Sequence, residues 1–167
     1  MRMHYLPLIG ITSLALAAPR PAHAQFKFGP EVTWASQSIG IGVGARAEAS
    51  LASVIPSVKG LGVMASFDYF FPGSSYGVSP SYWEINANGT YHFEIPNVKI
   101  APYAGAGVVF AHSAVTVGNF SASANNVGLN ILGGVNFPAM GSITPFAELR
   151  LELRSGGAFV VTGGVLF

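Results

Sequence analysis

The segment Ala147–Gly157, AELRLELRSGG, constrains the fold more than any other, because its side chains alternate between apolar and ionic. Successive side chains of a β-strand point to opposite faces, whereas a helix would scatter both sets around its circumference. The segment therefore predicts a strand with one apolar face and one ionic face. The ionic positions are Glu148, Arg150, Glu152 and Arg154.

The N-terminus predicts a secretory signal peptide over residues 1–24. A basic start, MRMHY, precedes the apolar run LPLIGITSLALAA, which is too short to span a bilayer as a helix, and Ala22 and Ala24 occupy the small-residue positions of a cleavage site. Cleavage before Gln25 would leave residues 25–167 as one exported domain. An uncleaved membrane anchor is the alternative.

Composition excludes several classes of function. The chain has no cysteine, which rules out disulfides, thiolate zinc sites and cysteine nucleophiles. A net charge of +1 provides no basic field for nucleic acid. His92 and His112, the histidines beyond the leader, lack the clustered partners of a metal site. GIGVGA and GAGVVF lack the GxGxxG pattern, so no cofactor is expected.

Eight strand-like segments follow the leader. Mean hydropathy is +0.48, yet no later stretch has the roughly 20 apolar residues of a transmembrane helix. An apolar exported chain of short, half-apolar strands predicts an all-β fold, an eight-stranded antiparallel up-and-down transmembrane barrel. The predicted strands are Lys27–Ala35, Ser38–Ala49, Gly60–Phe71, Ser81–Phe93, Ile100–His112, Asn126–Phe137, Ile143–Arg154 and Gly157–Phe167.

The connectors predict which end of the barrel is outside. FPGSSYGVSPSY and HSAVTVGNFSASANN are long and polar, as external loops are, while EIPNVK and PAMGS are short, as periplasmic turns are. SLASVIPSV is long for a periplasmic turn. Asn88-Gly89 is a strong hairpin dipeptide. We place it inside the fourth strand because its neighbours keep one polar parity, with a turn there as the alternative.

Charge is confined to one face of the predicted strands. A Lys or Arg facing lipid at mid-depth costs about 2–4 kcal/mol, which explains this exclusion. Eight strands leave a lumen just wide enough for side chains, so we expect a paired network inside, with Arg150 reaching towards Glu31 on the first strand. The predicted lumen residues are Lys27, Glu31, Arg46, Glu48, Asp68, Glu84, Glu148, Arg150, Glu152 and Arg154; Lys59, Glu94 and Lys99 lie at or beyond strand ends.

The opposite face has aromatic side chains near both ends of the strands and aliphatic ones between them, as the lipid-facing surface of such a barrel does. A soluble barrel or sandwich with this face inward is the alternative, although soluble surfaces carry more charge than this chain has. The predicted external girdle is Trp34, Tyr69, Phe71, Trp83, Phe110 and Phe159, and the periplasmic girdle is Phe28, Tyr91, Phe93, Phe137 and Phe167.

Residues 25–167 resemble the small eight-stranded outer-membrane barrels of the OmpA/OmpX type. The resemblance lies in APYAGAGVVF, GLNILGGVNF and the terminal GAFVVTGGVLF, which ends in Phe167. It implies a monomer in the bacterial outer membrane, in contact with lipid and lipopolysaccharide. It also implies that the barrel-assembly machinery reads the last strand, including Val165 and Phe167.

Three functions remain open at this point. The first is a non-enzymatic envelope or surface-interaction protein acting through its external loops, which contain Tyr76, Tyr82 and Phe120. The second is a lipid A-modifying enzyme with His112 as base and Ser113 as nucleophile, although adjacent strand residues point to opposite faces. The third is a narrow ion-conducting channel, which a lumen crossed by paired charges would oppose.

Overall fold

The computed structural model describes residues 26–73 and 78–167, which form a closed barrel of eight antiparallel strands. Each strand pairs with the next, and β8 closes the barrel on β1. The predicted fold class is therefore confirmed. The strands are β1 (Phe26–Ala35), β2 (Gly40–Ser50), β3 (Leu61–Phe70), β4 (Val78–His92), β5 (Ala101–Val117), β6 (Phe120–Asn136), β7 (Thr144–Leu153) and β8 (Ala158–Leu166).

Two predicted features concern residues that the structure does not describe. The signal peptide, residues 1–24, lies outside the described residues, as does Tyr76. Within the described part of the chain, no helix is long and apolar enough to cross a bilayer.

The barrel has two distinct ends. At the terminal end lie the start of β1, the end of β8 and the connectors 51–60, 93–100 and 137–143. At the hairpin end, β1 joins β2 through residues 36–39 and β7 joins β8 through residues 154–157. Connector length alone therefore does not show which end is external, because several terminal-end connectors are the longer ones.

The longest predicted loop, residues 112–126, is mostly strand. β5 continues to Val117 and β6 starts at Phe120, with only Gly118 and Asn119 between them. Gly118 has a φ of 57° and stands at the first position of this two-residue turn, where glycine is favoured. The loop prediction was wrong because small polar residues exposed on both faces lack the alternation that marks a half-buried strand.

The dipeptide Asn88-Gly89 lies inside β4, as predicted. Asn88 is buried in the lumen and paired with Met64 of β3 across the ladder. The lumen gives Asn88 a side-chain partner, which holds the dipeptide extended in spite of its turn preference.

Candidate functional site

The ionic face of the strands lines the lumen. Arg46 and Arg150 are each 1% exposed, although they are the two largest buried side chains. Lys27 and Glu48 are half-buried at the terminal end. A charge taken out of water needs partners of opposite sign and hydrogen bonds. The carboxylates that are almost fully buried are Glu31, Asp68, Glu84, Glu148 and Glu152.

Arg46 of β2 is the best-paired cation in the lumen. Its two terminal nitrogens each lie 2.9 Å from an oxygen of Glu148, and its Nε lies 2.8 Å from Glu31 Oε2. The Tyr103 hydroxyl lies 3.1 Å from Arg46 and donates to Glu148 at 2.9 Å. The ring of Phe146 covers the guanidinium at 4.2 Å. This planar, two-pronged arrangement joins β1, β2, β5 and β7 across the lumen.

Arg150 of β7 pairs with other carboxylates and not with Glu31, contrary to the prediction. Its closest carboxylates are Glu84 and Glu152, each at 3.2 Å. We expected Arg150 to pass over the small residues of β8, but the Phe146 ring fills the space above Gly164. Glu31 is paired instead by Arg46, which comes from the neighbouring strand.

Arg154 completes the network at the hairpin end. Its Nε lies 2.8 Å from Glu152 Oε2, and its Nη2 lies 2.6 Å from the Tyr82 hydroxyl. Tyr82 in turn donates to Glu84 at 2.5 Å. At the level of Arg150 and Glu152, buried apolar side chains occupy the lumen beside the charges, since Val160 is paired with Arg150 and Ala158 with Glu152 across the ladder. This apolar layer is Ala35, Phe70, Tyr82, Val109, Ala111, Ala158 and Val160.

Two parts of the lumen lie outside the ionic network that the sequence predicted. One is an amide cluster, in which Asn130 Nδ2 donates to Asn86 Oδ1 at 2.9 Å and to Asn88 Oδ1 at 3.1 Å. The other is a set of inward aromatics, among them Phe70 and Phe146. The sequence does indicate their inward position, because side chains two residues apart in a strand share a face. Phe70 lies two residues from Asp68, and Phe146 lies two residues from Glu148.

The outer face carries the predicted aromatic residues. Phe28, Trp34, Phe71 and Phe167 are 47–59% exposed, and Trp83 is half-buried between Phe67 and Phe110. The remaining girdle residues are also exposed on this face: Tyr69, Tyr91, Phe93, Phe110, Phe137 and Phe159. Phe26 and Phe67 belong to the same surface and were not predicted. The soluble alternative required this face to be inward, which the barrel excludes.

Solved structures with the same architecture are outer-membrane proteins. Neisserial surface protein A superposes with a TM-score of 0.60 at 17% identity, over 85% of this chain and 94% of that one. The N-terminal barrel domain of Pseudomonas aeruginosa OprF gives 0.62 at 15%, over 87% and 98%. Ail, the attachment invasion locus protein of Yersinia pestis, gives 0.57 at 14%, over 85% and 96%.

The chain has the fold of the small eight-stranded outer-membrane barrels. No protein-family model matches its sequence, and no curated protein matches it either. The OmpA/OmpX-type resemblance of the sequence is thus confirmed at the level of fold. Among the described residues of this outer-membrane-type barrel, no three His, Cys, Asp or Glu side chains are grouped as metal ligands would be.

His112 and Ser113, the candidate catalytic pair, do not form a nucleophile–base pair in this barrel. His112 Nδ1 lies 2.7 Å from Asn125 Oδ1, and its ring stacks on Trp83 on the outer face. Ser113 has the opposite parity, and its hydroxyl points to the Ala124 carbonyl at 3.5 Å. A serine nucleophile needs a hydrogen bond to its base. Here His112 is hydrogen-bonded to Asn125 and Ser113 to Ala124, not to each other.

The two longest strands, β5 and β6, extend beyond the barrel at the hairpin end, and residues 78–83 of β4 pair with β5 there. β6 pairs with β7 only from Leu129 onward, so its residues 120–128 have no ladder partner on that side. We call residues 112–117 of β5 and 120–125 of β6 the overhang. Along these strands the polarity of the two faces reverses: Val115, Val117 and Phe120 continue the lumen face, while Thr116 and Ser121 continue the lipid face.

Proposed function

We propose that this chain is an integral protein of the bacterial outer membrane, without enzymatic activity, that acts at the cell surface through the overhang. The observation that carries this proposal is the reversal of polarity along β5 and β6. From His112 towards the terminal end, the outer face of these strands is apolar, as lipid requires. From His112 towards the turn at Gly118, the outer face is polar, as water requires. The hairpin end would therefore project from the membrane, with the termini on the periplasmic side.

The overhang presents an apolar face and an open strand edge to water. Phe120 is 83% exposed, and Val115 and Val117 are 40% and 49% exposed on the same face. No charged residue interrupts residues 112–125. Natural proteins usually protect sheet edges with charge or proline, and an unprotected apolar edge is a surface that binds partners.

The remaining parts of the proposal concern the barrel itself. We infer that the barrel is a monomer whose outer belt contacts outer-membrane lipid and lipopolysaccharide. We also infer that the assembly machinery recognises β8 and the residue that follows it, Phe167, which is exposed and whose N–H donates to the Phe28 carbonyl at 2.9 Å. The buried ionic network and the apolar layer fill the lumen, which supports a closed barrel over a channel.

The test compares two double variants in the overhang. Val117→Ser with Phe120→Ser removes the apolar face, and Thr116→Ala with Ser121→Ala changes the opposite face of the same ribbon. Adhesion of expressing bacteria to other cells should fall in the first variant and stay unchanged in the second. Both variants should keep the gel shift on boiling that a folded barrel shows.

Equal adhesion in both variants would contradict the surface-interaction role. A stable conductance step in planar bilayers would instead favour a channel. Altered lipid A that reverts with His112→Ala would favour an enzyme.

A further inference from the structure

A cavity of about 390 Å³ opens at the terminal end of the barrel. The network of Arg46, Tyr103 and Glu148 lies next to this cavity, which we call the vestibule: Arg46 is 3.7 Å from Glu48 of the lining, and the ring of Tyr103 is 5.1 Å from that of His92. A volume of roughly 300–1,000 Å³ is typical of small-molecule sites. The vestibule is thus large enough for a ligand of sugar size.

Every lysine of the barrel domain lines this vestibule. They are Lys27 on β1, Lys59 before β3 and Lys99 before β5, brought together from distant parts of the chain. Among the described residues, no carboxylate oxygen lies within 4.0 Å of any lysine nitrogen, whereas all three lumen arginines are paired. The vestibule therefore combines three lysines with two carboxylates, Glu48 and Glu94, and the lysines are not used by the lumen network.

The wall beside the lysines is polar and incompletely satisfied. Asn136 is 8% exposed, and its buried Oδ1 has no hydrogen-bond partner. Thr90 and Thr144 are also buried in the wall, and the carboxylates of Glu48 and Glu94 reach the same space. Acceptors of this kind suit hydroxyl groups. The vestibule therefore suits a ligand that combines an anion with hydroxyl groups.

We propose that the vestibule binds a phosphorylated sugar or polyol. The three lysines would hold the phosphate, because ammonium groups bind phosphate as compact charges and a phosphate at neutral pH carries about 1.5–2 negative charges. Asn136 and the two glutamates would accept hydrogen bonds from the hydroxyls. Phosphate and hydroxyl groups together occur in a soluble sugar phosphate and also in the headgroup of phosphatidylglycerol, whose phosphodiester carries one negative charge.

The test is calorimetric titration of the mature chain in a non-ionic polyoxyethylene detergent, which contains neither phosphate nor sugar. Glucose 6-phosphate should bind and glucose should bind at least about tenfold more weakly, as expected for the loss of charge-assisted hydrogen bonds. Lys59→Gln with Lys99→Gln should weaken binding of the phosphate about tenfold, whereas arginine at both positions should preserve it. Glu94→Gln, which removes a negative charge from the rim, should strengthen it.

Each variant should keep the gel shift on boiling, because the substituted residues lie at the opening and outside the lumen network. Absence of binding by the wild-type chain would overturn the proposal, as would equal binding by a Lys27→Gln, Lys59→Gln, Lys99→Gln variant that still folds. The source is then identified in nanodiscs. Weaker glucose 6-phosphate binding in phosphatidylglycerol than in phosphatidylcholine would indicate the lipid headgroup, and equal binding a soluble ligand.

Discussion

The overhang continues two strands of the barrel wall, β5 and β6, yet its two faces have the opposite polarity to those of the wall. Within the wall, Asn130 of β6 is 1% exposed on the inner face and Ile131 is 53% exposed on the outer face. In the overhang, the inner-side residue Phe120 is 83% exposed and the outer side is lined by serine and threonine. Strand geometry is continuous through both regions, so the surrounding medium, and not the backbone, decides which side chains each face requires.

The largest expected effect is on the wall. Arg46→Met would leave Glu31 buried without a cation and Glu148 with only Arg150 at 3.9 Å, and breaking a buried pair in this way costs about 3–5 kcal/mol. Urea unfolding in detergent should show this loss. Arg154→Met is the matched control and should cost less, since Arg154 lies nearer the opening, with 8% of its side chain exposed. Equal losses would contradict the central place of Arg46 in the network.

Replacing a closely packed glycine of the wall should give the next largest loss of stability. A Cβ on Gly107 would lie 2.5 Å from the Asn88 Cα and from Asn88 Oδ1, so Gly107→Ala should destabilise the barrel by about 1–3 kcal/mol through overpacking. Gly133→Ala is the control. A Cβ there meets only the Tyr103 carbonyl at 3.8 Å, so stability should be unchanged or slightly increased. Urea unfolding compares the two, and equal destabilisation would mean that the glycines serve strand conformation instead of lumen packing.

Replacing Gly118 in the turn of the overhang should destabilise the protein less, and only locally. Gly118 has a left-handed φ of 57° and open space around it, so Gly118→Ala should cost about 1 kcal/mol of strain without any clash. Amide hydrogen exchange should quicken in residues 112–125 while the wall stays protected. Faster exchange throughout the barrel would show that the overhang and the wall unfold as one unit.

The smallest expected effect is that of Phe120→Ser on folding. Phe120 is almost fully exposed and lies beyond the β6–β7 ladder, so its replacement should change the free energy of unfolding by no more than about 0.5 kcal/mol. The control is Phe146→Ser, which removes a buried ring from above Arg46 and should be strongly destabilising. A large loss with Phe120→Ser would mean that the overhang packs against the barrel.

The sequence was sufficient for the wall because the lipid penalty on charge acts at every strand position. Ionic residues such as Glu148 and Arg150 had to share one parity, which identified the strands and their inner face. The partners of each charge were not predictable, because they depend on which rings occupy the lumen. Phe146 above Gly164 redirected Arg150, and no periodicity encodes that choice.

The overhang could not be predicted because the lipid penalty that constrains the wall does not act on it. No penalty constrains either face in water, so Ser121, Ser123 and Asn125 read as a loop although they continue a ladder with β5. The only local cue was Gly118-Asn119, flanked by Val117 and Phe120. The vestibule was equally hidden, since Lys27, Lys59 and Lys99 meet only when the barrel closes.

The central claim is that the apolar parity faces lipid and the ionic parity faces the lumen. The chain has no cysteine, so a nitroxide spin label can be attached at single introduced positions, Leu149→Cys, Leu151→Cys and Phe120→Cys. In liposomes, labels at 149 and 151 should collide with oxygen, which concentrates in lipid, and should be shielded from a water-soluble nickel complex. The label at 120 should show the opposite. Nickel collisions at 149 and 151 equal to those at 120 would contradict the account.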